Sequence, residues 1–76
     1  MEEHAEAIVA EELKRRQWDE ADLGRRAKGE GPKVAIAVRL RAETAMTVKW
    51  IAQRLQMGAP SHVNHLLYQR RKRQAV

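Results

Sequence analysis

A chain of 76 residues without a single cysteine has to close its fold on apolar side chains alone. Disulfides, cysteine-based zinc sites and thiol nucleophiles are excluded together. The length allows one small domain over residues 1–76. It leaves little room for a walled substrate pocket plus a catalytic apparatus. No catalytic residue, metal ligand set or cofactor site is therefore expected. No run approaches the roughly 18 apolar residues of a membrane span. The acidic start, Glu2-Glu3, does not read as a secretory leader. A cytoplasmic, nucleoid-associated protein is the expectation.

The apolar residues recur at helical spacing, and strong helix formers dominate. The expected fold is all-α: four or five short helices ending in a helix-turn-helix. Ala5, Ile8, Val9, Ala10 and Leu13 mark one face of a first helix in segment 1–17. Segment 19–43 holds the next two helices around a basic, Gly-rich loop. Asp19 reads as the N-cap of a helix over about 20–28, with Asp22 imitating a capping box and Trp18 and Leu23 as the hydrophobic staple. Gly29-Glu30-Gly31-Pro32 breaks the chain, and Pro32 suits the first position of a third helix to Glu43. Val34, Ala37, Val38, Leu40 and Arg41 form its stripe, and Ile36, off that stripe, suggests burial on two sides. Segment 47–73 then carries Thr47 as N-cap, a helix over 48–56, the turn Met57-Gly58-Ala59-Pro60 and a last helix over 61–73.

Charge is unevenly spread. Residues 1–22 hold eight acidic and three basic residues, and residues 23–76 hold twelve basic and two acidic. A basic C-terminal portion points first to nucleic acid. In the helix-turn-helix reading Ile51, Ala52, Leu55, Val63 and Leu66 plug both helices into the core, and Gly58 permits the turn. The outer face of the last helix is then free to enter a major groove. Ser61, His62, Asn64, His65 and Gln69 are its candidate base contacts. Arg25, Arg26, Lys28, Lys33, Lys49, Arg70, Arg71, Lys72 and Arg73 are the candidate phosphate contacts. His62 and His65 lack a third metal ligand, and Tyr68 lacks a base that would make it a nucleophile. The acidic first helix could instead fold over the basic face and compete with nucleic acid.

Trp18, Asp22-Leu23, Arg25 through Gly29, Lys33 through Leu40 and above all Arg41 through Gly58 form a longer pattern. Its strongest run is Met46-Thr47-Val48-Lys49-Trp50-Ile51-Ala52. From Leu23 to Arg73 the chain resembles the C-terminal segment of some REP-associated tyrosine transposases, which act on single-stranded DNA at palindromic repeats. The resemblance implies an accessory DNA-binding module partnered with a catalytic transposase domain, or a homodimer. The family's His-apolar-His metal pair and Tyr nucleophile have no counterpart at His62-Val63 and Tyr68, so no activity is implied. More distantly the chain is similar to the Trp-repressor-like DNA-binding domain of the bacterial replication initiator. That similarity matches Arg25, Arg26 and Lys28 to a basic loop, and Ser61 and His62 to the Thr pair before a buried Val. Ala59-Pro60 replace the Asp-His before that pair, so the family's sequence preference is not implied. The functional expectation is binding of duplex or hairpin DNA. A protein-interaction or oligomerisation module and an RNA-binding helical domain stand beside it as alternatives.

Overall fold

A computed structural model describes residues 2–74, with side chains through residue 72. Among the described residues the chain is all-α. The helices are α1 (Glu2–Arg16), α2 (Glu20–Arg25), α3 (Gly31–Glu43), α4 (Val48–Arg54) and α5 (Pro60–Gln74). α3 is the hub: α1, α4 and α5 all pack on it, and α5 also packs on α4. The reason lies in its sequence. Lys33, Val34, Ile36, Ala37 and Leu40 are all buried, and that spacing covers two sides of the helix rather than one stripe. The off-stripe Ile36 is fully buried, as the sequence suggested.

α1 closes the core with Ala5, Ile8, Val9 and Leu13. Ala10, expected on that face, is exposed, and the buried position beside Leu13 belongs to Glu12. Leu23 is the buried anchor of α2. Ile51, Ala52, Leu55 and Val63 fill the space between α4 and α5. Met57, read from sequence as part of the turn, also lies in the core. Each large apolar side chain so buried contributes about 1.5–3 kcal/mol.

The helix ends follow local chemistry. Asp19 caps α2 with a complete capping box: its carboxylate accepts from Asp22 N at 3.0 Å, and the Asp22 carboxylate accepts from Asp19 N at 2.8 Å. Thr47 caps α4 by accepting from Trp50 N at 3.1 Å. α2 ends at Arg25, short of the expected residue 28. Arg26 is already extended, with φ −84° and ψ 151°, and Ala27–Glu30 closes a turn through Glu30 N to Ala27 O at 3.1 Å.

α1 and α4 both end in Schellman motifs. Trp18 N donates to Leu13 O at 2.8 Å and Gln17 N to Lys14 O at 3.1 Å. Met57 N donates to Ala52 O at 2.9 Å and Gln56 N to Gln53 O at 3.3 Å. The second motif ends α4 before the expected Gln56 and turns Met57 inward. Gln17 and Gln56 occupy the left-handed position, with φ 59° and 54°, where glycine is favoured. Gln17→Gly should relieve about 1–2 kcal/mol of left-handed strain against a chain-entropy cost of about 0.4–1 kcal/mol, for a net gain of about 0.5–1 kcal/mol and a Tm raised by a few degrees. A thermal melt that is unchanged or lowered would contradict this account of the α1 end.

Candidate nucleic-acid interface

The turn between α4 and α5 is held from below by one side chain. Lys33 is fully buried. Its ammonium donates to Leu23 O at 2.7 Å, Arg26 O at 3.3 Å and Gln56 O at 3.0 Å. These acceptors are the carbonyls left over at the ends of α2 and α4. Burial pushes the Lys33 ammonium below the ordinary lysine value; Glu30 opposes this shift and Lys28 adds to it. Lys33 was expected to touch phosphate. It has no access to one, because its charged end is spent on three carbonyls inside the fold.

The Ala27–Glu30 loop is seated on the same turn. A Cβ at Gly58 would come within 3.2 Å of Lys28 Cδ, so the Lys28 stem lies along Gly58, whose φ of +86° favours glycine. A Cβ at Gly29 would lie 3.7 Å from Leu66 and 3.8 Å from His62 Nε2. The basic loop and the first turns of α5 thus form one continuous surface. Ser61, His62, Asn64, His65 and Gln69 are all exposed on α5. The structure separates them: His62 stands beside the loop, while Asn64 faces α3.

The cations divide into two groups. Arg25 bonds Asp22 at 2.8 Å and lies 3.6 Å from Asp19. Arg26 bonds Glu30 at 2.8 Å and stacks 4.1 Å above the Trp18 ring. Arg39 on α3 reaches Glu12 at 2.7 Å and Glu11 at 3.1 Å on α1, and Glu43 at 3.0 Å. Arg54 on α4 joins α1 to α2, bonding Glu6 at 2.8 Å and Glu20 at 2.7 Å. Arg16 pairs with Glu12. By contrast, among the described residues Lys28, Lys49, Arg70, Arg71 and Lys72 have no carboxylate partner, and neither do Lys14 and Arg41. The Arg73 side chain lies outside the described residues.

α1 does not fold over the basic surface. Its apolar face is core, and Glu6, Glu11 and Glu12 are bound to Arg54 and Arg39, neither of them a candidate contact. Burial alone would raise the Glu12 carboxyl, but the hydrogen bonds from Arg39 and Arg16 outweigh it and hold the pKa below its ordinary value. The hydrogen bond from Arg54 lowers Glu20 in the same way.

A cleft of about 560 Å³ opens between the second half of α3 and α5, lined by Val38, Arg41, Ala42, Asn64, Leu67, Tyr68, Arg70 and Arg71. Arg41 and Tyr68 were not among the sequence candidates. Arg41 sits one turn beyond the buried Ala37, and only the crossing of α3 with α5 brings it to Tyr68. No group of three or more His, Cys, Asp or Glu suited to a metal occurs among the described residues. No described helix is long and apolar enough to cross a membrane. Comparison with protein-family models, curated proteins and solved structures returns no match in any of the three.

Proposed function

We propose that α4, its turn and α5 act as a helix-turn-helix, and that the chain binds duplex DNA or the duplex stem of a hairpin. The observation that carries the reading is the seating of the basic loop against the α4–α5 turn, with Lys28 on Gly58 and Gly29 beside His62. A helix entering a major groove needs cations beside it for the flanking phosphates. Lys28, Lys49 and Lys72 are exposed and have no acidic partner among the described residues, so their charge is available. Arg70 and Arg71 lie on the same helix but line the α3–α5 cleft. Arg25 and Arg26 are shared with Asp22 and Glu30, and their contribution is smaller. Ser61, His62, His65 and Gln69 meet the base edges.

The chain acts in this reading without catalysis of its own, as the accessory module of a transposase-like protein whose chemistry resides in another domain. Its nonspecific affinity falls in the roughly 10⁻⁴–10⁻⁶ M range at physiological salt. Fluorescence-anisotropy titrations at two salt concentrations test the reading, with a random duplex, a palindromic hairpin, a single strand and a duplex RNA. Salt-sensitive binding to duplex and hairpin DNA is expected, weaker on the other two. Lys28→Ala, Lys49→Ala and Lys72→Ala should each flatten the salt slope by about one unit. Absence of binding at tens of micromolar would overturn the reading, and preference for the RNA duplex would redirect it to A-form stems.

A further inference from the structure

The α3–α5 cleft holds a combination that phosphate contact along a groove does not require. Arg41, Arg70 and Arg71 line it, with Arg41 Nη1 also donating to Met46 O at 3.5 Å, and none of the three is paired with a carboxylate among the described residues. Like charges gathered at one concavity repel, and an anion placed between them relieves that cost. Between the arginines the surface is apolar, built from Val38 and Leu67. Tyr68 stands at its rim, 64% exposed, the one large exposed apolar side chain among the described residues. Asn64 lines the same cleft, and an Asn side chain can pair with adenine through the N6 and N7 edge. The volume, about 560 Å³, falls within the roughly 300–1,000 Å³ of small-ligand sites.

We propose that this cleft binds one unpaired nucleotide, preferentially adenosine, with Tyr68 stacking on the base, Asn64 reading its edge and Arg41 and Arg71 taking its phosphates. The nucleotide's source is the unpaired residue next to a bound hairpin stem, and to that extent the inference rests on the DNA-binding reading above. Free mononucleotide presents the same chemistry.

The test uses the full chain and labelled hairpins of one stem sequence. One is blunt, one carries a single unpaired adenosine at the stem end, and one carries an abasic residue in its place. Stacking of one base on an aromatic side chain should tighten binding of the adenosine hairpin about tenfold over the blunt one. The abasic hairpin should lose that gain. Tyr68→Ala, at an exposed position, should abolish the gain and leave blunt-hairpin binding unchanged. Saturation-transfer NMR with deoxyadenosine monophosphate forms the second arm. Mononucleotide signals that vanish in Tyr68→Ala, with no hairpin bound at all, would keep the cleft as a nucleotide site and remove the DNA-binding reading. Equal affinity for blunt and adenosine hairpins would overturn the cleft assignment while leaving that reading intact. Silence in both arms would overturn both.

Discussion

Replacing Lys33 with Met is expected to cost about 3–4 kcal/mol of folding stability. The aliphatic stem of Met fills similar space, so the apolar contacts largely survive. What disappears is the donor to Leu23 O, Arg26 O and Gln56 O. A buried acceptor left without a partner costs about 1–3 kcal/mol. The Arg26 and Gln56 bonds are both partly buried and stand at the low end, so the Leu23 bond carries most of the loss. In a domain of this size each kcal/mol moves Tm by about 4–8 °C, so the melt should fall by well over 10 °C. Lys33→Arg should not rescue, because a planar guanidinium does not fit a pocket shaped for a compact ammonium. A second readout separates this role from phosphate contact: under conditions where the variant remains folded, the salt slope of DNA binding should not change. A loss below 1 kcal/mol, or a slope flattened by one unit, would show that Lys33 serves the surface after all.

Glu12→Ala is the second large effect, expected at about 2–4 kcal/mol. The Glu12 side chain is 3% exposed and accepts from Arg39 at 2.7 Å and from Arg16. Removing one member of a buried pair leaves its partner uncompensated, at about 3–5 kcal/mol when both are fully buried. Arg16 and Arg39 keep 18% and 26% side-chain exposure, so water recovers part of that. The same site sets an acid limit on the fold. Its folded pKa lies below the ordinary 4.5, so the stabilisation is complete above about pH 4.5 and is lost as pH falls through the lowered value. Glu20, held down by Arg54, has the same sign. Tm measured from pH 6 to pH 2 should therefore drop along an acid limb, and Glu12→Gln should make that limb shallower. An identical limb in the variant would assign acid sensitivity elsewhere.

The parts of the fold legible in the sequence are those whose causes are local. Asp19 and Thr47 cap helices because a short oxygen-bearing side chain reaches an amide two or three residues on. Pro32 lies within the first turn of α3 for an equally local reason. Arg25 stands three residues after Asp22 within α2, a spacing that predicts helical pairing, whereas Arg26 reaches Glu30 across the Ala27–Glu30 turn. The Arg25 pairing is legible from that spacing alone, and it competes with the phosphate contact expected of this arginine.

The misses have long-range causes. Lys33 and Glu12 sit at core positions by spacing alone, yet their charge reads as surface. What makes them core residues is a set of partners from 7 to 27 residues away. Arg54 meets Glu6 across 48 residues. The α3–α5 cleft is of the same kind, since Arg41 and Tyr68 meet only through helix packing. For the candidate site, the exposure of the α5 polar face was legible. Its division between the loop side and the cleft side was not.

The three carbonyls gathered on the Lys33 ammonium have a consequence for how this chain can change. The Ala27–Glu30 turn and the turn after α4 both run over the surface, where insertions are ordinarily tolerated. Here their starting points are fastened to one atom. An added residue before Arg26, or between Ala52 and Gln56, would draw a carbonyl off the ammonium and leave the buried charge with one partner fewer. The two turns are therefore locked in length together, while the Thr44–Thr47 connection, which sends no carbonyl to that atom, remains the place where extra residues can be accommodated.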